Sequence, residues 1–248
     1  MEKNKIVILA VCLVVLILFN ILIFFNLNSN KSDSDLSAEN GVNYTFNDDF
    51  LSYEEGRCFS DGEKFGPWSL EYSGYGCVSM ERNREKFLHE SPMKSTENSE
   101  THASLVLGPY FSTAIDNLRY EVRMQTQEQL RENPNTWEMA WAIWHYTDDE
   151  HFYYFVMKPN GWELGKEDPR YTGNQRFMAT GSLPKYEIGK WYNIMIIQEN
   201  SNTIKVFMDG ALIVEYTDEE TPYNSGKIGL YNEDAHVHFD DVKAALFK

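Results

Sequence analysis

The last third of the chain is a series of short β-rich runs separated by turns, and this pattern admits little besides an antiparallel sheet. Lys190-Trp191-Tyr192-Asn193 opens an alternating run through Ile194, Ile196 and Gln198, and Asn200-Ser201-Asn202 turns the chain into Thr203–Met208. Asp209-Gly210 reverses it, Ala211–Tyr216 runs back, Ser225-Gly226 precedes Lys227–Tyr231, and His236–Val242 closes the series. Asp-Gly between two such runs is a strong hairpin signal, because both central residues of a type I′ turn need positive φ. The segment is therefore expected to form an antiparallel meander.

Upstream, strands are expected at Tyr44–Phe50, Trp68–Tyr72, Cys77–Arg82, Ala103–Leu107, Asn117–Gln125, Trp137–Tyr146, His151–Lys158 and Trp162–Lys166. Gly66-Pro67, Gly108-Pro109 and Pro159-Asn160-Gly161 punctuate the boundaries. Many short strands without a period of 3.6 predict an all-β sandwich. The polar stretch Gln125–Glu132 reads as a loop or a single helical turn. Residues 44–248 are enough for one sandwich with a full core, and neither an internal repeat nor a second domain is apparent.

The N-terminus carries a different signal. Ile6 to Phe25 is an apolar run broken only by Asn20, long enough to cross a hydrocarbon core as a helix. Lys3 and Lys5 precede it, so the positive-inside bias leaves residues 1–5 in the cytoplasm and sends the rest outside. No small-x-small cleavage site follows at Phe24–Leu27, which favours an uncleaved signal anchor at 6–25 over a cleaved signal. Residues 26–43 are too polar to fold and read as a linker. The expected location is the cell membrane, single-pass, with an extracellular C-terminal domain. An exported domain permits a disulfide between Cys58 and Cys77, the alternative being two free thiols. Net charge is −16, and residues 1–31 contribute +2 (three Lys against one Glu), leaving −18 for residues 32–248. Such a surface repels phosphate backbones and argues against nucleic acid as a partner.

The order W-Y-x-I-x-I at Trp191–Ile196, I-x-V-F-x-D-G at Ile204–Gly210, G-x-I-G-L at Gly226–Leu230 and F-D-D-V at Phe239–Val242 resembles the concanavalin A-like jelly roll. Within that superfamily it is similar to the laminin G-like and 3-keto-disaccharide hydrolase-like branches. Ala142 to Phe155, with an aromatic strand, an acidic turn and a Tyr-Tyr strand, fits the same pattern, although His145 stands where a basic residue, often Arg, is common. The resemblance implies a jelly-roll sandwich and extracellular work on carbohydrate. It specifies an architecture better than an activity.

Aromatic faces stack on the apolar faces of sugar rings, and Trp137, Trp141, Trp144, Tyr146, Tyr153, Tyr154 and Trp162 crowd two strands and the turn after them. Strict alternation would put Trp141, Ile143 and His145 on one face, with Ala140, Ala142, Trp144 and Tyr146 on the other. The ligand face expected from this is Trp141, His145, Tyr154, Trp162 and Lys166, although a sandwich also needs several such aromatics in its core. Because first and last strands are neighbours in this fold, Asp48, Asp49, Asp240 and Asp241 could share a structural Ca²⁺, an ion that takes oxygen ligands. His236, His238 and Asp240 share one face of the last strand and are compatible with zinc, or with a plain solvated edge. The E-x-D-x-x-E strand of related glycoside hydrolases is absent, so a catalytic pair would have to come from Glu138 and Glu163. The expectation is a membrane-anchored, lectin-like module that recognises a glycan or glycosylated surface. The alternatives are a glycoside hydrolase of the 3-keto-disaccharide hydrolase-like kind and a structural or adhesive surface module.

Overall fold

The computed structural model describes residues 43–97 and 99–248. The expected membrane helix at 6–25 and almost all of the linker lie outside the described residues. Among the described residues no helix is long and apolar enough to cross a membrane.

Two antiparallel sheets face each other. Sheet A runs β14 (Ala211–Thr217), β13 (Thr203–Met208), β12 (Tyr192–Glu199), β7 (Asn117–Gln129), β16 (Ala235–Phe247), β5 (Glu85–Ser91), β4 (Cys77–Asn83), with β1 (Phe46–Asp48) also paired to β16. Sheet B runs β11 (Gln175–Gly181), β10 (Gly161–Glu167), β9 (His151–Lys158), β8 (Ala140–Asp148), β15 (Ser225–Glu233), β6 (Ala103–Ser112), β3 (Trp68–Tyr72), β2 (Lys64–Phe65). A 3-10 turn at Thr172–Asn174 is the only helical element among the described residues. The first and last strands are neighbours, with Asp48 opposite Val242.

The Asp-Gly signal has its expected geometry: Asp209 and Gly210 have φ of 47° and 81°, and Met208 pairs with Ala211 across the turn. Alternation then sends Leu118, Tyr120, Val122 and Met124 of β7 inward against Val237 and Phe239 of β16 and Trp144, Tyr153 and Phe155 of sheet B. Cys58 and Cys77 are joined in a disulfide that ties the loop-rich segment before β2 to the edge strand β4.

Four elements differ from the sequence expectation, the short β2 among them. Gln125–Gln129 continues β7 rather than forming a loop, because Gln125 and Thr126 pair with His238 and Val237 of β16. The strands β5 and β11 escaped notice because charged residues interrupt their alternation; Lys86 of β5 is buried yet satisfied by the carbonyls of Leu51 and Tyr53 at 2.9 and 2.5 Å.

Candidate functional site

The outer side of sheet B, turned away from the other sheet, is as apolar as its inner side. Trp141 and Ile143 of β8, Phe152, Tyr154 and Val156 of β9, and Leu105 and Leu107 of β6 form a second buried cluster there. Tyr72, Tyr146 and Tyr231 pack against it. Trp141 and Tyr154 are buried within this cluster, at 3% and 0% exposed, and the rings that reach its surface are the half-buried Tyr72, Tyr146 and Tyr231.

Cross-strand register makes this cluster. Trp141 lies opposite Tyr231 of β15 and next to β9, so its indole meets Tyr154 at 4.7 Å between ring centroids and Tyr231 edge-on at 5.4 Å. Its Nε1 donates to the Trp137 carbonyl at 2.8 Å, which fixes the ring. Tyr154 is opposite Gly165 on β10 and donates its hydroxyl to Glu163 Oε1 at 2.8 Å, while Gln175 Nε2 donates to the same hydroxyl at 3.0 Å. Lys158 Nζ holds the other Glu163 oxygen at 2.6 Å. Tyr231 donates to Glu233 at 2.8 Å, and Tyr146 donates to Asp149 at 2.8 Å.

Burial among these rings, reinforced by the Glu233 charge, pushes the Glu167 carboxyl up to about 8, and burial likewise raises Glu233. The result is a floor of aromatic rings edged by carboxylates, one lysine and one amide. Rings of this kind stack on sugar faces, and carboxylates and amides exchange hydrogen bonds with hydroxyls.

Of the five residues expected on one ligand face, the structure brings together only Trp141 and Tyr154. The other three point inward. On β8 the three steps from Ile143 to Tyr146 face the two steps from Gly229 to Lys227 on β15, and this bulge sits at His145, whose φ is 54°. It turns Tyr146 outward and His145 in, reversing the parity assumed for both. His145 is 1% exposed, contacts the Tyr153 ring and lies 3.4 Å from Thr113 Oγ1; burial holds its imidazole neutral, with a pKa lowered to about 3.

Trp162 and Lys166 share the inward parity of Leu164 on β10. Trp162 packs near Phe155 and donates to the Leu183 carbonyl at 2.8 Å. Lys166 Nζ is fully buried, 2.8 Å from Asp218 Oδ2 and 2.7 Å from the Glu220 carbonyl. Tyr153 and Arg176 also donate to Asp218, at 2.6 and 2.8 Å, so Lys166 anchors the segment between β14 and β15.

Glu138 and Glu163 belong to separate networks. Glu138 is bound by Arg131 at 2.9 Å and Asn135 at 2.7 Å, whereas Glu163 is bound by Lys158 and Tyr154. The four aspartates do not fit a shared cation. Asp48 faces the core and accepts from Trp68 Nε1 at 2.9 Å, Tyr53 at 2.5 Å and the Phe50 amide at 2.9 Å. Asp49 caps the Leu51 amide at 3.1 Å, and Asp240, on the outer side of sheet A, pairs with Arg123 at 3.0 Å. Asp241 follows it at a φ of 49°. Among the described residues no group of three or more His, Cys, Asp or Glu side chains is arranged to hold a metal ion.

Tyr72, Gln175, Tyr231 and Glu233 complete the outer face but were not singled out from the sequence. Tyr231 shares the outward parity of Gly229, two residues before it on β15.

Two antiparallel sheets packed face to face, with first and last strands adjacent, are the architecture of the concanavalin-like jelly rolls. Residues 112–245, more than half of the chain, match the 3-keto-alpha-glucoside-1,2-lyase-like domain, and the chain belongs to that family. Among solved structures it is similar to the carbohydrate-binding module CBM66 from Bacillus subtilis, with a TM-score of 0.52 and 15% identity over 72% of this chain and 95% of that one. A Bacillus subtilis protein of unknown function with a galectin-like fold gives a TM-score of 0.51 and 13% identity over 79% of this chain and all of the other. At these identities the likeness concerns the fold. No curated protein matches the sequence.

Proposed function

We propose that this protein is a carbohydrate-binding module that recognises a neutral glycan on the outer face of sheet B and is held at the cell surface by residues 6–25. The observation that carries this reading is the half-buried ring set Tyr72, Tyr146 and Tyr231, packed on the buried Trp141–Tyr154 pair and flanked by Gln175 and Glu233. The family membership and the fold shared with a carbohydrate-binding module support it. The apolar run at 6–25, with lysines before it, supports the anchor.

A hydrolytic reading draws on one observation, the Glu167 carboxyl that keeps its proton to about 8 near the charge of Glu233. A glycosidase needs one protonated and one ionised carboxyl flanking the scissile bond. The test titrates the full-length chain in detergent with neutral oligosaccharides while mass spectrometry follows the ligand. Binding of intact ligand that weakens about tenfold or more in Trp141→Ala supports the module. Cleavage that disappears in Glu167→Gln establishes the enzyme instead, and unaltered binding in Trp141→Ala refutes the site.

A further inference from the structure

The opposite side of the molecule carries a second constellation that the reading above does not use. On the outer side of sheet A, β4, β5, β16 and β7 and the segment before β12 enclose a groove of about 420 Å³. This lies within the range of about 300–1,000 Å³ usual for small-ligand sites. Its base is aromatic: Phe87 stacks on His238 at 4.1 Å and 28°, and Trp191 closes the triangle at 5.9 Å from both rings.

The polar groups around this base are held in place by the protein. Gln125 Nε2 donates to the Gly189 carbonyl at 2.5 Å, which fixes the orientation of the amide, so Gln125 Oε1 faces His238 Nδ1 at 2.7 Å as an acceptor. The imidazole hydrogen therefore sits on Nδ1, and Nε2 is left as a lone-pair acceptor with no hydrogen-bond partner among the described residues. Arg123 lies over the Trp191 ring at 4.5 Å and is clamped by Asp240 at 3.0 Å and by Glu85. Burial and the neighbouring imidazoles lower the His238 pKa to about 4, and burial lowers that of His89, so both rings are neutral at physiological pH.

The charges along the groove cancel in number, Glu81 and Glu85 against Arg82 and Arg123. An anionic ligand would meet Glu81, Glu85 and a chain of net charge −16, and a cation would compete with guanidinium groups already in place. A purely apolar ligand would leave His238 Nε2 without a partner. What remains is an uncharged ring that offers an apolar face to Phe87, His238 and Trp191 and hydroxyls to planar polar side chains.

We infer that this groove is a second saccharide-binding site, independent of the face of sheet B, and that it takes a neutral sugar with a hydroxyl donating to His238 Nε2. Because it lies on the outer side of the other sheet, a glycan bound there leaves the outer face of sheet B uncovered.

The test compares the full-length chain with Trp191→Ala, Glu85→Gln and Trp141→Ala, titrated in detergent against neutral, sulfated and uronate-containing oligosaccharides, with thermal melts to verify folding. The expected result is saturable binding of a neutral oligosaccharide at two sites per chain, one of which weakens about tenfold or more in Trp191→Ala, weakens in Glu85→Gln and is retained in Trp141→Ala, while the other is weakened in Trp141→Ala alone. Glu85 is an exposed rim residue, so its variant tests the groove even if Trp191→Ala fails to fold. Binding lost only in Trp141→Ala overturns this inference and leaves the proposed function standing. Binding confined to charged glycans, self-association through the groove in place of sugar binding, or no binding by the parent chain also overturns it.

Discussion

Tyr154 and Gly165 face each other on adjacent strands, and the phenol occupies the space a side chain at Gly165 would fill. A Cβ built at Gly165 would lie 2.3 Å from the Tyr154 hydroxyl oxygen and 2.8 Å from the Arg176 carbonyl. Gly165→Ala must therefore displace the ring, because the backbone on the other side cannot give way. The expected cost is about 1–3 kcal/mol of stability, typical of overpacking. Loss of the Tyr154–Glu163 hydrogen bond should weaken glycan binding more than the melting shift alone accounts for, and titration beside calorimetric melting checks both.

Lys166 separates a structural role from a binding role. Removing one member of a buried ion pair leaves an uncompensated charge, at a cost of about 3–5 kcal/mol. Lys166→Ala leaves Asp218 with Arg176 and Tyr153 as partners and frees the Glu220 carbonyl, so it should cost less than that full range but still lower the denaturation midpoint. Folded molecules of this variant should bind glycan with unchanged affinity, since Lys166 lies on the inner side of β10. A loss of affinity in the folded fraction would return Lys166 to the ligand face.

Glu90 is fully buried, bound by Asn232 Nδ2 at 2.7 Å, and its carboxyl is raised well above the ordinary range by burial. Its Oε1 lacks a partner among the described residues, so nothing there offsets a second ionised oxygen and burial favours the protonated carboxyl. The folded state thus binds a proton that the unfolded chain releases above its ordinary carboxylate pKa. This contribution is fully present at acid pH and declines as pH rises from that pKa towards the folded one, by at most about 1.4 kcal/mol per pH unit. Glu167, pushed up to about 8, gives a slope of the same sign between its ordinary pKa and about 8. Glu90→Gln should keep the Asn232 hydrogen bond at every pH and flatten the decline, as urea melts between pH 5 and 8 will test.

The Cys58–Cys77 bond closes a short loop between a segment with little core of its own and an edge strand. In the chain-entropy account a loop of this size contributes about 3 kcal/mol. Replacing both cysteines by serine should lower the urea midpoint accordingly and leave glycan affinity intact in the folded fraction. Equal stability of the two forms would mean that the segment is held by Phe59 and Phe65, which stack at 4.3 Å.

The all-β class, the hairpin at Asp209-Gly210, the adjacency of first and last strands and the family were legible in the residues, because turn chemistry and period-2 patterning are local. Which aromatics point outward was not, because one extra residue at His145 shifts every later side chain of β8 to the other face. Lys166 shows the same limit: its partners Asp218 and Arg176 come from segments far apart in the chain, and only packing reveals that a charged residue is interior. The groove of sheet A is more tertiary still, since Glu85, Arg123, Trp191 and His238 meet only through the strand order β5, β16, β7 and β12. Local backbone preferences are written in neighbouring residues, whereas a site depends on register and strand order, which depend on how the whole core closes.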